Sequence, residues 1–334
     1  MRDAPTSLPA SHVVLTMALG YAAPACALLW CAIAVLALTG RSRVGLIEAL
    51  FLLAPLVHVQ LGFRVVRGLI GEYSPIGRVA HSLLPLAAIL TGASFWPPPG
   101  PLAGGLALAW PLVCGLAGLD GFWRLARQTK RSVESAFLAA AFFYLVVGGV
   151  WLVLSRLGVA PMHLPRQIVL LASVHFHFTG FALPVFAAAT YRASRISSPP
   201  HAGLGRVVFI FLAAGIICGP LFLAAGNLLM LPSLKLAGAL LLTLTSFGLI
   251  GMLIPVLPGV RSRPARALLG AAAISLVGGM MLVGVYTVGE FTERSWLLIP
   301  EMARFHGTVN ALGFGLCGLF GWTLALERIR LGAT

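Results

Sequence analysis

The sequence predicts an all-α membrane protein, a polytopic bundle of about ten transmembrane helices, and three observations predict it. The 334 residues are 59% hydrophobic and only 10% charged, with a mean hydropathy of +0.97, more apolar than a domain with a wet surface can be. Apolar runs such as 13–38, 133–154, 237–257 and 309–326 are each close to the roughly 20 residues that cross a bilayer core. These runs are apolar on all sides and rich in Leu, Ala and Gly, whereas barrel strands would alternate apolar and polar over segments of about 10 residues.

Charge, proline and glycine punctuation divide the chain into spans near 13–38, 44–63, 78–96, 101–120, 133–155, 166–190, 206–230, 233–257, 265–288 and 301–326. The first follows a single early Arg2 and outruns the 7 to 15 apolar residues of a signal-peptide core, so it reads as a retained span. Trp96-Pro97-Pro98-Pro99-Gly100-Pro101 reads as a stiff turn between spans three and four, because successive prolines remove donors and fix the backbone. Ser197-Ser198-Pro199-Pro200 breaks the chain in the same way. Connections are short, so residues 1–334 are expected to form one transmembrane domain without a soluble one, and chemistry must sit within or at the edge of the bilayer. The five cysteines, Cys26, Cys31, Cys114, Cys218 and Cys317, lie inside spans without a C-x-x-C pair and read as small packing residues.

The formal charge of +14 raises the question of nucleic acid. The Lys and Arg residues, however, fall in short connections between apolar spans, where they orient a membrane protein, so the expected partner is the lipid bilayer and not nucleic acid. The terminal segments and the connections after spans two, four, six and eight hold Arg2; Arg64, Arg67, Arg78; Arg124, Arg127, Lys130, Arg131; Arg192, Arg195, Arg206; Arg261, Arg263, Arg266; and Arg328, Arg330. These are 16 of the 23 Lys and Arg residues. The asymmetry predicts both termini in the cytoplasm of a bacterial cytoplasmic membrane, with Arg41 and Arg43 dissenting.

In lipid the informative residues are polar ones inside spans, since an ionisable group near the midplane costs several kcal/mol unless it faces protein or water. Span six carries Ser173-Val174-His175-Phe176-His177-Phe178-Thr179-Gly180, and span ten opens with Glu301-x-x-Arg304-x-His306-x-x-x-Asn310. Residues two apart on a helix point about 200° apart, so His175 and His177 do not chelate one metal without local unwinding. His175 shares a face with Thr179, and His306 with Asn310. These four, with His177 and Arg304, are the ligand- or proton-binding candidates. Gly180 and Pro184 are expected to loosen span six after its histidines. If a metal is bound, His175, His177 and His306 are its candidate ligands. Glu48, Glu290 and Glu293 fall on the expected outer side, where they either line a vestibule or are solvated, and Glu301 opens span ten. His58 and Gln60, towards the inner end of span two, either line a path or touch headgroups. His12, His81, His163 and His201 are expected at wet interfaces. No phosphate loop, G-x-S-x-G elbow or H-E-x-x-H occurs.

The stretch His175-Phe176-His177-Phe178-Thr179-Gly180-Phe181-Ala182-Leu183-Pro184, followed by Arg304-x-His306-Gly307-x-x-Asn310-Ala311-x-Gly313-Phe314, resembles the bacterial YndJ-like membrane proteins. The resemblance covers most of the ten-span core and implies a transporter-like protein; members can carry a further soluble region after the core, which this sequence does not show. The leading expectation is therefore a permease whose histidines, Thr179 and Asn310 line a polar cavity, with Arg304 and Glu301 at its mouth, for a small-molecule or lipid ligand. The alternatives are an intramembrane enzyme acting on a lipid or isoprenoid through metal-bound or acid-base histidines, a haem or quinone protein with axial histidines, and a structural subunit. No particular cofactor is implied.

Overall fold

A computed structural model of the chain describes residues 10–127, 132–197 and 204–331. Among them there is no strand, and ten helical rods follow one another: α1 (Ala10–Leu38), then α2 (Leu46–Ile70), α3 (Pro75–Ala93), α4 (Pro101–Arg127), α5 (Val133–Leu157), α6 (Arg166–Ile196), α7 (Val207–Leu228), α8 (Pro232–Gly259), α9 (Arg263–Phe291) and α10 (Ile299–Leu326). From α2 onward each rod is long and apolar enough to cross a membrane. The chain is a polytopic helical bundle.

The rods start and stop where backbone chemistry requires. Ser74, Ser132 and Ser262 each cap a helix by accepting from a backbone N–H three residues on. Proline begins α3, α4 and α8, where a missing N–H is harmless. Gly71 (φ 82) ends α2 and Gly158 (φ 76) ends α5, both in conformations that suit a residue without Cβ. The expected Pro-rich turn lies between α3 and α4, and Arg156 holds it. Its guanidinium donates to the Ser94 and Pro97 carbonyls at 3.1 Å each and stacks over Phe95 at 4.5 Å.

Two borders differ from the sequence expectation. The second span runs on to Ile70, so Arg64 and Arg67 are helical residues whose long stems carry the charge outward, not loop residues. The fourth runs on to Arg127, because Asp120 inside it is neutralised one turn later by Arg124 at 2.9 Å. Of the Ser197–Pro200 break, the last three residues lie outside the described ones, as do Lys130, Arg131 and His201; nothing is described of the side chains of His12 and His163. His81 is half-buried, stacked on Tyr73 at 5.7 Å and beside Phe63, because the α2–α3 connection folds back over it.

Packing follows the rules of a bundle without a hydrophobic driving force between its helices, in which small residues bring backbones together. One close approach joins α7 and α8, where a Cβ on Gly238 would lie 2.6 Å from the backbone nitrogen of Leu223. The centre of the bundle is the middle of α2, where residues 51 to 54 and Leu56 are fully buried. All five cysteines are free thiols.

Three rods widen into π turns, and they do so at their polar residues. Pro55 has no N–H for the Phe51 carbonyl; α2 widens into a π turn over Ala54–His58, and Val59 N–H reaches back five residues to the Ala54 carbonyl. Pro184 does the same to α6, which is π-helical over Phe176–Ala182, with Leu183 N–H on the Phe178 carbonyl. In α10 glycines take the place of proline, and wide turns span Ala303–Gly307 and Val309–Leu316. The turns of α2, α6 and α10 touch one another.

Candidate functional site

His175 and His177 point apart, as their spacing requires. His177 is fully buried. Trp110 Nε1 lies 2.7 Å from His177 Nε2, and His177 Nδ1 lies 2.8 Å from the Ser173 carbonyl. An indole N–H only donates and a carbonyl only accepts, so Nε2 accepts, Nδ1–H donates and the ring is neutral. Ser173 in turn donates to the Gly148 carbonyl of α5 at 2.8 Å. Nε2 of His177 thus ties α6 to α4, Nδ1 is held within α6, and the Ser173 hydroxyl ties α6 to α5.

His306 is less settled. Its Nδ1 lies 3.0 Å from the Gly279 carbonyl of α9 and 2.9 Å from Asn310 Nδ2, which is also 3.1 Å from the His306 carbonyl. One ring nitrogen cannot donate to Gly279 and accept from Asn310 at once, and rotating the amide only moves the mismatch to the His306 carbonyl. Asn310 Oδ1 is buried without a hydrogen-bond partner. The close approach needs Gly279, where a Cβ would fall 2.2 Å from Asn310 Nδ2. His175 and His306 lie within electrostatic range of each other, and Lys235 of α8 within range of His175. His175 is exposed, with Nδ1 2.8 Å from the Leu171 carbonyl one turn earlier in α6. Lys235 pairs with Glu290 of α9 at 2.5 Å.

His58 stands where the three wide turns meet. It is fully buried, and neither ring nitrogen has a hydrogen-bond partner among the described residues. The ring lies edge-on to Phe178 of α6 at 4.9 Å and approaches the Ala311 backbone of α10 without hydrogen-bond geometry. A Cβ on Gly315 would come within 2.6 Å of its Cε1. A buried imidazole without partners forfeits about 1–3 kcal/mol per polar atom, so its retention calls for a reason other than stability.

The other candidates scatter. Thr179 is half-buried in the α6 turn with no hydrogen bond. Arg304 is exposed, its guanidinium 5.6 Å over Phe305. With Thr308, Phe305 and Val309 it faces Leu38 and Leu46 across an apolar groove of about 350 Å³. Glu301 is exposed and accepts from Leu298 N–H at 2.8 Å, capping α10. Glu48 is half-buried within electrostatic range of Arg156. Among the described residues, no three His, Cys, Asp or Glu side chains are grouped so as to hold a metal ion.

Several polar residues escaped the sequence reading. Asp120 is 1% exposed, and its Oδ1 has no hydrogen-bond partner. Glu134 of α5 and Arg192 of α6 form a two-pronged ion pair at 2.9 and 2.6 Å, with Arg192 also donating to the Leu69 carbonyl. Tyr73, between α2 and α3, donates to the Phe63 carbonyl; burial first, and the nearby Asp120 carboxylate second, push its phenol well above the ordinary value and keep it a donor. The only available signal was a complementary charge one turn away, Asp120 with Arg124.

Fold and polar centre together define a class: a multi-pass helical membrane protein with imidazoles buried between widened helices. Residues 49–314 match the family described as YndJ-like protein, and the chain belongs to that family. It is 26% identical over 227 residues to the Uncharacterized membrane protein YndJ of Bacillus subtilis (strain 168). That alignment covers 66% of this chain and 38% of the relative, so the chain spans well under two thirds of the relative's length. No solved structure matches.

Proposed function

We propose that the chain is a permease of the bacterial cytoplasmic membrane in which His175, His306 and Asn310 form a polar binding site in a gap between α6, α8, α9 and α10. The observation that carries this reading is the coincidence of wide turns with polar residues: α2, α6 and α10 lose regular geometry at His58, at His177 and Thr179, and at His306 and Asn310, and these turns touch. Wide turns recur at functional sites. Irregular helices meeting inside a bundle are also how many transporters build a midplane site. Within the site, His306 is the group with a proton to exchange, since its two Nδ1 contacts compete, its Nε2 makes no hydrogen bond among the described residues, and imidazole titrates near pH 6.5 when unperturbed. His177 and Trp110 serve as the fixed wall. The ligand is a small solute or lipid that presents a hydrogen-bonding or anionic group to imidazole.

The test compares thermal unfolding of the purified protein in detergent with His175→Asn and His306→Asn over pH 5 to 8. Asparagine can still hydrogen-bond but does not ionise in this range. The expected outcome is near wild-type stability for both variants and loss of the wild-type pH dependence in His306→Asn. Three superimposable curves would reduce both histidines to interhelical glue.

A further inference from the structure

A polar cavity lies apart from His175 and His306, towards the end of α2 that carries its arginines. It measures about 30 Å³ and is lined by Gln60 and Arg64 of α2, His81, Leu84 and Pro85 of α3, and Ala23 of α1. Three features give it a chemical preference. Arg64, a helical residue exposed at the surface of its rod, makes no hydrogen bond and no ion pair among the described residues, so its five guanidinium donors are open to an acceptor from outside the chain. Both Arg64 and Arg67 lie within electrostatic range of the His81 ring, so the wall is cationic. Among the described residues no acid pairs with Arg64: Asp120, though within electrostatic range of Tyr73, is engaged with Arg124, and Glu72 is exposed in the connection.

The wall is also held in place. The His81 ring is stacked on Tyr73, which is anchored by its bond to the Phe63 carbonyl. Gln60 is fixed by donating to the Leu56 carbonyl at 3.0 Å. A rigid, concave, cationic notch at the edge of a bilayer suits a tetrahedral oxyanion better than a soft apolar chain, because a planar guanidinium matches phosphate oxygens in two-pronged fashion.

We propose that Arg64, His81 and Gln60 form a phosphate-type oxyanion site between α1, α2 and α3, separate from the permease gap. The volume admits the oxygens of one such group and little else, so the remainder of the ligand lies outside the notch. Two sources present this chemistry, the headgroup of an anionic phospholipid and free inorganic phosphate. The bilayer-edge position, with Leu84, Pro85 and Ala23 completing the wall, suits either.

The experiment uses the full chain in phosphatidylcholine nanodiscs, with and without added phosphatidylglycerol, and reads retained lipid by native mass spectrometry. Wild type is expected to keep one anionic lipid selectively, and Arg64→Gln and His81→Gln to lower that retention by about tenfold, the loss of one charge-assisted contact. Arg294→Gln, an exposed arginine between α9 and α10, should leave it unchanged. A parallel arm adds inorganic phosphate to phosphatidylcholine discs; an Arg64-dependent rise in unfolding temperature there identifies free phosphate as a ligand of the same site. If Arg64→Gln folds poorly, Arg64→Lys, which keeps the charge and loses the fork, is expected to weaken binding less than His81→Gln. Equal lipid retention in wild type and variants, with no phosphate effect, overturns the proposal.

Discussion

At the scale of single residues, the two histidines of α6 do different work although one residue separates them. His177 is saturated by Trp110 and Ser173, so its contribution is to stability. Trp110→Phe keeps the aromatic volume and removes the donor, leaving Nε2 buried and unpaired. It is expected to cost about 1–3 kcal/mol, read as a lower unfolding temperature, with the pH dependence untouched. An unchanged unfolding temperature would show that the bond does not hold α6. The opposition of His175 and His177 was legible from their spacing. The partner of His177 was not, because a tryptophan in an apolar span is ordinary. In the sequence His58 lies towards the inner end of span two because Arg64 and Arg67 look like its end; with α2 continuing to Ile70, position 58 falls in its middle and is fully buried.

At the scale of elements, the wide turns follow from prolines acting on the carbonyl four residues upstream. Proline in α2 or α6 removes one α-type bond, and in lipid the freed carbonyl must find another partner, which the five-residue reach of a π turn supplies. The loosening of α6 was therefore readable from Pro184, although the turn includes His177 and does not begin after it. No such signal existed for α10, where three glycines permit a wide turn without demanding one. Pro184→Ala returns an N–H that can bond the Gly180 carbonyl. The expected result is unchanged or higher thermal stability, with the pH response lost along with the widened turn; a destabilised variant that retains the response would contradict this account. In α10, Gly315→Ala introduces a methyl 2.6 Å from His58 Cε1. Overpacking of this kind costs about 1–3 kcal/mol, and a smaller residue at position 58, as in His58→Ala, should relieve most of it when the two substitutions are combined.

At the scale of the whole molecule, the cross-links at helix ends fix which connections share a side. Arg124, at the end of α4, reaches the Glu72 carbonyl between α2 and α3, and Arg192 of α6 reaches Glu134 and the Leu69 carbonyl. On the other side Arg156 of α5 grips the turn between α3 and α4, and Lys235 of α8 holds Glu290 of α9. Successive rods thus alternate in direction, as short connections implied. The basic residues with described side chains on the first side are Arg64, Arg67, Arg78, Arg124, Arg127, Arg192, Arg195, Arg261, Arg263 and Arg266; those on the second are Arg41, Arg43, Arg156, Arg166, Lys235, Arg294 and Arg304. The raw bias is modest, but its weight differs by side. Arg156 is spent on carbonyls in a buried position and Lys235 on a carboxylate, while several of the first-side arginines are exposed near helix ends, where positive charge determines which side stays in the cytoplasm. The first side is therefore expected to be cytoplasmic, together with both termini, which would set the His175 and His306 gap in the outer half. A reporter active only in the cytoplasm, fused after Thr334, should be active, and one active only outside should be silent. The reverse pattern would invert the bundle, turn the gap to the cytoplasm and place the Arg64 notch in the outer leaflet.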